Sequence, residues 1–161
     1  MAFISISITK NHPLILGKGG FGRQLADWLS AEGWGEAEFL DDSAPGCVGG
    51  LRDYADPKLL KPGRPAFVAL GDNALRVELL QKLAAAGYDT PVFISDMAAV
   101  SPSAVLEPGC VILPQAYVGA DAHLGVGCII NGGAIVDHDA VLGRGVHVAP
   151  GGIVKAGAEV E

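Results

Sequence analysis

Between residues 100 and 160 a branched aliphatic side chain recurs every six residues. Val100, Leu106, Ile112, Val118, Leu124, Ile130, Val136, Leu142, Val148, Val154 and Val160 form this series without a gap. All eleven are Val, Leu or Ile, although such residues fill only 20 of the 62 positions of segment 100–161. Chance would produce this about once in ten thousand sequences or more rarely. Neither the helical period nor strand alternation generates a spacing of six. Two positions earlier stands a small residue, as at Ala104, Cys110, Ala116, Ala122, Cys128, Ala134, Ala140, Gly152 and Ala158, with Val146 the exception. Residues two apart on a strand share a face, so each unit sends one small and one branched side chain inward. The rest of the unit turns a corner, often with glycine next (Gly119, Gly125, Gly143). Three units close a triangular coil of 18 residues, and the segment holds nearly three and a half coils.

This register fixes other residues. Cys110 and Cys128 are 18 apart and therefore stack in the interior as inert thiols. The residue between each inward pair points outward. Tyr117, Ile135 and Ile153 make one outer column, Val111, Ile129 and His147 a second, and Val105, His123, Val141 and Glu159 a third. Aliphatic outer columns imply burial against another subunit or against the first part of the chain.

The first part has a different character. Nine of the ten aromatic residues precede residue 100, and the 23 glycines divide into twelve before residue 100 and eleven from there on. This shift sets a boundary between residues 1–96 and 97–161. Strands are expected at Leu14–Leu16, Glu38–Leu40, Ala66–Leu70 and Pro91–Ile94. Helical patterns begin at Gln24–Ser30 and run from Asn73 to Ala86, where Leu75, Leu79, Leu80 and Leu83 form an apolar stripe and Gly87 a stop. Strands alternating with helices predict a parallel sheet.

Composition excludes several classes of function. Net charge is −7 with no basic block, which argues against nucleic acid or an anionic membrane surface as partner. No apolar run approaches the ~20 residues of a membrane span. The start, Met1 to Pro13, shows no basic leader and no cleavage site, so no signal peptide is expected. Three cysteines fit a reducing cytoplasm better than a disulfide framework.

Two clusters carry candidate chemistry. Gly17-Lys18-Gly19-Gly20-Phe21-Gly22 satisfies G-x-G-x-x-G between a strand and a helix, and Asp41 and Asp42 close the next strand. Such glycines let a phosphate approach the backbone, and acids at the next strand end suit a ribose or base. A tight turn without ligand is the alternative. The unit is too short for a full dinucleotide fold, which favours one nucleotide over NAD. The second cluster is Asp137-His138-Asp139, with His147 nine residues on. A carboxylate that holds one imidazole nitrogen leaves the other free to accept a proton. A solvated polar corner is the alternative. His123, His138 and His147 fall at three different angular positions of the coil, so no metal site is expected.

With both clusters placed, the chain resembles the hexapeptide-repeat acyltransferases, and more narrowly the sialic acid O-acetyltransferase and UDP-4-amino-sugar N-acetyltransferase family. The matching stretches are ILGKGGFGRQLADWL, FLDD, VALGDNALR and IINGGAIVDHDAVLGRGVHVAPGG. The resemblance implies an α/β Rossmann-like N-terminal domain that holds a UDP-sugar, followed by an all-β left-handed parallel β-helix. It also implies a homotrimer with acetyl-CoA as co-substrate between neighbouring β-helices, and no metal. Position by position, His138 matches the general base and Asp139 the acid beside it. His147 and Asn131 match residues near the acetyl thioester. Gly17, Gly19 and Gly20 match the phosphate loop, and Asp41 and Asp42 the acids near the nucleotide.

The sequence ends at Glu161, eight residues into a fourth coil counted from Val100, where the family continues for further coils. An incomplete CoA channel is the resulting expectation. It leaves a catalytically weak or inactive nucleotide-sugar-binding trimer as the alternative to direct acetyl transfer onto a sugar amine or hydroxyl. A dinucleotide-binding regulatory protein is a third reading, carried only by the glycine loop.

Overall fold

The computed structural model of the chain describes residues 12–161. Residues 1–11, most of the start in which no leader peptide is expected, lie outside the described residues.

The N-terminal unit is built on three short parallel strands. These are β1 (Leu14–Leu16), β2 (Glu38–Leu40) and β3 (Ala66–Val68), in the order β2-β1-β3. Leu14 pairs in register with Glu38 on one side and Ala66 on the other. All three residues of the central strand are fully buried, as expected for parallel strands covered on both faces. Helix α1 (Gly20–Ala31) starts four residues ahead of its apolar pattern, inside the glycine motif, with Gly19 as N-cap. Helix α2 (Asn73–Ala86) has the expected bounds; the Asp72 side chain accepts from Leu75 N–H, and Gly87, at φ +104°, closes it.

The buried set on α2 is Arg76, Leu79, Leu80 and Leu83, an i, i+3, i+4, i+7 stripe that begins on an arginine. Leu75, expected in that stripe, is only partly buried.

The rest of the chain is a solenoid of two-residue strands. In chain order these are β4 (Phe93–Ile94), β5 (Ala99–Val100), β6 (Val105–Leu106), β7 (Val111–Ile112), β8 (Tyr117–Val118) and β9 (His123–Leu124). They continue as β10 (Ile129–Ile130), β11 (Ile135–Val136), β12 (Val141–Leu142), β13 (His147–Val148), β14 (Ile153–Val154) and β15 (Glu159–Val160). Every third strand pairs in parallel, giving three four-stranded faces. The first face holds β4, β7, β10 and β13, the second β5, β8, β11 and β14, and the third β6, β9, β12 and β15.

One expectation is corrected here. Phe93–Ile94 does not complete the α/β sheet; it pairs with Val111–Ile112 as the first rung of the solenoid. The repeat therefore begins before residue 97, because Ile94 already stands six residues ahead of Val100.

The inward residues form one continuous core, from Cys110, Ile112 and Ala116 to Val148 and Val154. The stacked thiols are in it: Cys110 Sγ donates to Gly125 O at 3.2 Å and Cys128 Sγ to Gly143 O at 3.1 Å. The bond shared with Cys128, together with burial, pushes the Cys110 thiol upward, away from the reactive thiolate.

The outer columns have different fates. Val111 and Ile129 are buried in a cluster with Ile15, Leu25, Leu29, Trp34 and Phe67 of the N-terminal unit. Tyr117, Ile135 and Ile153 on the second face, and Val105 and Val141 on the third, are exposed.

The corners carry a backbone requirement. From Leu106 to Val154, the third residue after each inward branched position lies at positive φ. Glycine fills it at 109, 127, 133, 145, 151 and 157, but Gln115, Asp121 and Asp139 fill it at φ +63°, +57° and +58°. Left-handed backbone is costly for a residue with a Cβ, less so for Asp.

Candidate active site

The glycine loop is held from within. Gly17 N–H donates to Leu40 O at 2.8 Å, and a Cβ on Gly22 would lie 2.0 Å from Gly17 O. Helix and loop can pack this closely only without that side chain. A Cβ on Gly19 or Gly20 would meet nothing within 4 Å, and no side chain caps the start of α1. The first-turn amides of α1 thus form an open, positively polarised end. Asp41 supports this loop: one oxygen accepts from Lys18 N–H at 2.8 Å, the other from Ser43 N–H and Ala44 N–H at 2.9 Å each. These amides, Lys18 first, hold the Asp41 carboxyl down at about 2. Asp42 is exposed and accepts from Leu51 N–H at 2.8 Å. Lys18 Nζ donates to Pro45 O at 2.6 Å and lies 5.4 Å from the Phe39 ring centre.

His138 stands on the corner between β11 and β12. Its backbone N–H donates to Asp137 Oδ1 at 2.8 Å, and its Nδ1 meets Asp139 Oδ2 at 2.6 Å. A carboxylate can only accept, so Nδ1 carries the proton and Nε2 keeps a lone pair on an exposed ring. The bond to Asp139, followed by the charge of Asp137, raises the His138 pKa above its ordinary 6.5. Gly119 lies one coil away, and a Cβ there would sit 2.6 Å from His138 N. Close stacking of coils, not a left-handed turn, explains that glycine.

Asn131 and His147 meet on the first face. Asn131 Oδ1 accepts from Gly132 N–H at 2.8 Å, which turns its amide nitrogen to His147 Nε2 at 3.1 Å. His147 Nε2 is therefore an acceptor, and the ring is neutral with its proton on Nδ1. Burial, with the nearby Arg76 charge second, lowers the His147 pKa. Phe21, from the glycine motif, lies with its ring 6.3 Å from that of His147. The loop and the Asn131–His147 pair thus share one side of the molecule.

His138 is on another side. The corner joining the second and third faces lies opposite the first face of a triangular prism, so one chain does not bring His138 to His147. His123 is on the third face and bonds Glu107 Oε1 at 2.9 Å. Among the described residues no group of three His, Cys, Asp or Glu could hold a metal ion, and no helix is long and apolar enough to cross a membrane.

Comparison with known proteins turns this geometry into a family. Residues 14–83 match the family described as the PglD N-terminal domain. The acetyltransferase domain of PglB from Neisseria gonorrhoeae, solved with acetyl coenzyme A, is 36% identical with a TM-score of 0.79, over 89% of this chain and 72% of that one. The chain belongs to the hexapeptide-repeat sugar acetyltransferases. PerB from Caulobacter crescentus, solved with CoA and GDP-perosamine, is 32% identical, with a TM-score of 0.76 over 86% of this chain and 69% of that one. WeeI from Acinetobacter baumannii, 15% identical with a TM-score of 0.63 over 93% and 94% of the two chains, shows the shared fold alone. Members of this family are enzymes, and acyl transfer onto a sugar is their chemistry.

Two side chains at the site carry no legible sequence signal for their role. Arg76 reads as a solvated helix position yet is fully buried beside the corner that precedes His147. Phe21 is part of a loop motif defined by its glycines, while its ring serves the solenoid face.

Proposed function

We propose that the chain transfers an acetyl group from acetyl-CoA to an amino or hydroxyl group of a nucleotide-linked sugar, with His138 as general base. The observation that carries this reading is the 2.6 Å contact of His138 Nδ1 with Asp139, which orients the ring and leaves Nε2 able to accept a proton. As the sugar nucleophile attacks the thioester carbon, His138 Nε2 takes its proton. The C–N or C–O bond forms, the C–S bond breaks, and the same proton passes to the departing CoA sulfur. Neither a covalent enzyme intermediate nor a metal is required by this sequence.

The nucleotide lies over Gly17, Gly19 and Gly20, with its phosphates on the open end of α1. Asp41 shapes the loop for it, and Asp42 is the acid that faces the ribose or base. GDP-perosamine in PerB supports a nucleotide-linked amino sugar as the substrate class.

The acetyl thioester lies by Asn131 and His147, which face away from their own chain's His138. A complete site then needs the His138 corner of one copy against the first face of another. Three copies around a threefold axis satisfy this for every site. The exposed Tyr117, Ile135, Ile153, Val105 and Val141 flank the His138 corner, and they supply the apolar contact.

A thiol-release assay with acetyl-CoA and a panel of UDP- and GDP-linked amino sugars tests the reaction. Absence of release with every acceptor would favour the binding-only alternative. Co-refolding His138→Ala with His147→Ala tests the shared site. The mixture regains activity if the two residues act across a subunit boundary and stays inactive if both must come from one chain.

A further inference from the structure

Arg76 is the largest fully buried side chain among the described residues, at 0% exposure, and it is a cation. Its partners are neutral. Nη1 donates to Leu70 O at 2.6 Å, and Nη2 donates to Asn73 Oδ1 at 2.9 Å; both acceptors belong to the N-terminal unit. Nε donates to Gly127 O at 2.9 Å and Nη2 to Gly145 O at 2.5 Å, on two solenoid corners one coil apart. A buried charge without a bonded carboxylate is expensive unless its hydrogen bonds are satisfied, and four of its five N–H groups are. Of the two acids nearest in sequence, Glu78 pairs with Lys82 and Arg52, and the Asp72 side chain is used on Leu75 N–H.

The two corners are shaped for this contact. A Cβ on Gly127 would lie 2.7 Å from the Leu80 side chain, and one on Gly145 would lie 2.9 Å from Asn73 O. Helix α2 therefore rests on bare backbone there, and His147 follows Gly145 by two residues.

We propose that Arg76 is a positioning residue for acyl transfer: its buried charge and its bonds to the Gly127 and Gly145 carbonyls hold His147 on the first face as a neutral imidazole. In that state His147 offers an N–H to an acyl oxygen and does not compete with His138 as a base. The proposal rests on the acetyl-transfer reading given above, but its main observable does not. Other charged groups share the cavity of about 640 Å³ that His147 lines: Glu78 from α2, Arg144 from the preceding corner, and Glu161. Glu78 is already paired with Lys82 at 2.6 Å and Arg52 at 3.4 Å, which leaves Arg76 as the fixed charge bonded to the His147 corner.

The test compares wild type, Arg76→Gln and Arg76→Lys, each checked for folding by circular dichroism. The His147 titration is followed by imidazole NMR without substrate, and kcat and KM are measured in parallel. Both variants lose the guanidinium fork and some thermal stability. Only Arg76→Gln loses the charge, so only there does the His147 midpoint rise toward 6.5, and kcat falls with little change in KM. Equal midpoints in all three proteins, or equal shifts in both variants, would overturn the proposal. A wild-type His147 midpoint at or above 6.5 would also contradict the proposal, whether or not the variants fold. Thiol release bears on the reaction itself, so either reading can fail without the other.

Discussion

Two aspartates in this molecule sit beside tight backbone turns and do different work. Asp41, at the end of β2, spends both oxygens on its own backbone, at Lys18, Ser43 and Ala44. Asp139, on a solenoid corner, takes up left-handed backbone at φ +58° and spends an oxygen on an imidazole. The first acid builds a surface that a ligand can approach. The second fixes the orientation of an exposed imidazole. Six sister corners use glycine at the position of Asp139, so the turn alone does not call for an acid there. Asp121 fills the equivalent position of another corner at φ +57°, so what sets Asp139 apart is its bond to His138.

Substitution can break this contrast. Of the two aspartates, the larger effect on rate is expected at Asp139→Gly, which keeps the turn its sister corners use and removes the carboxylate. Thiol release should fall about tenfold or more while the thermal midpoint holds or rises. A loss of stability matching the loss of rate would make Asp139 structural like Asp41. Asp41→Ala should do the opposite, with about 1 kcal/mol lost in denaturant unfolding as its amides lose their acceptor. There KM for the nucleotide sugar rises and kcat changes little.

The pH dependences differ in the same way. A base must be unprotonated to act, and His138 has a raised pKa, so activity should fall with acid at a midpoint above 6.5. In Asp139→Gly that midpoint moves down toward 6.5. Asp41 is depressed to about 2, below the ordinary 3.8. Its contribution to stability is present above 3.8 and is lost as pH falls toward 2. A smaller effect is expected at Gly119→Ala. A methyl group there would press on the His138 backbone, and kcat should drop a few-fold without change in the acetyl-CoA affinity.

The solenoid was legible because its strands stack in parallel and in register, so a position six residues on meets the same environment. That logic extends to Ile94, yet a short apolar run between turn signals reads equally as a strand of the α/β sheet. What separates the two is pairing with Val111–Ile112, a long-range choice that periodicity alone does not make. The outer columns show the same limit. Val111 and Tyr117 both read as outward, but the N-terminal unit covers one and leaves the other exposed. Of the candidate site, His138–Asp139 and Asn131–His147 were legible as residues, while the bond within each pair depends on corner geometry. Arg76 closes the stretch VALGDNALR that carries the family resemblance, but its burial was not legible. A charged residue in a helix ordinarily faces water, and only the carbonyls of Gly127 and Gly145 make its burial possible.

The central claim is that the exposed imidazole of His138 takes the sugar's proton. Thiol release by wild type and His138→Ala, measured with saturating acetyl-CoA and an accepted nucleotide sugar, tests it most directly. The account predicts a fall in kcat of about 10²–10⁴-fold at unchanged thermal midpoint and unchanged acetyl-CoA affinity. Equal turnover by the two proteins would contradict it.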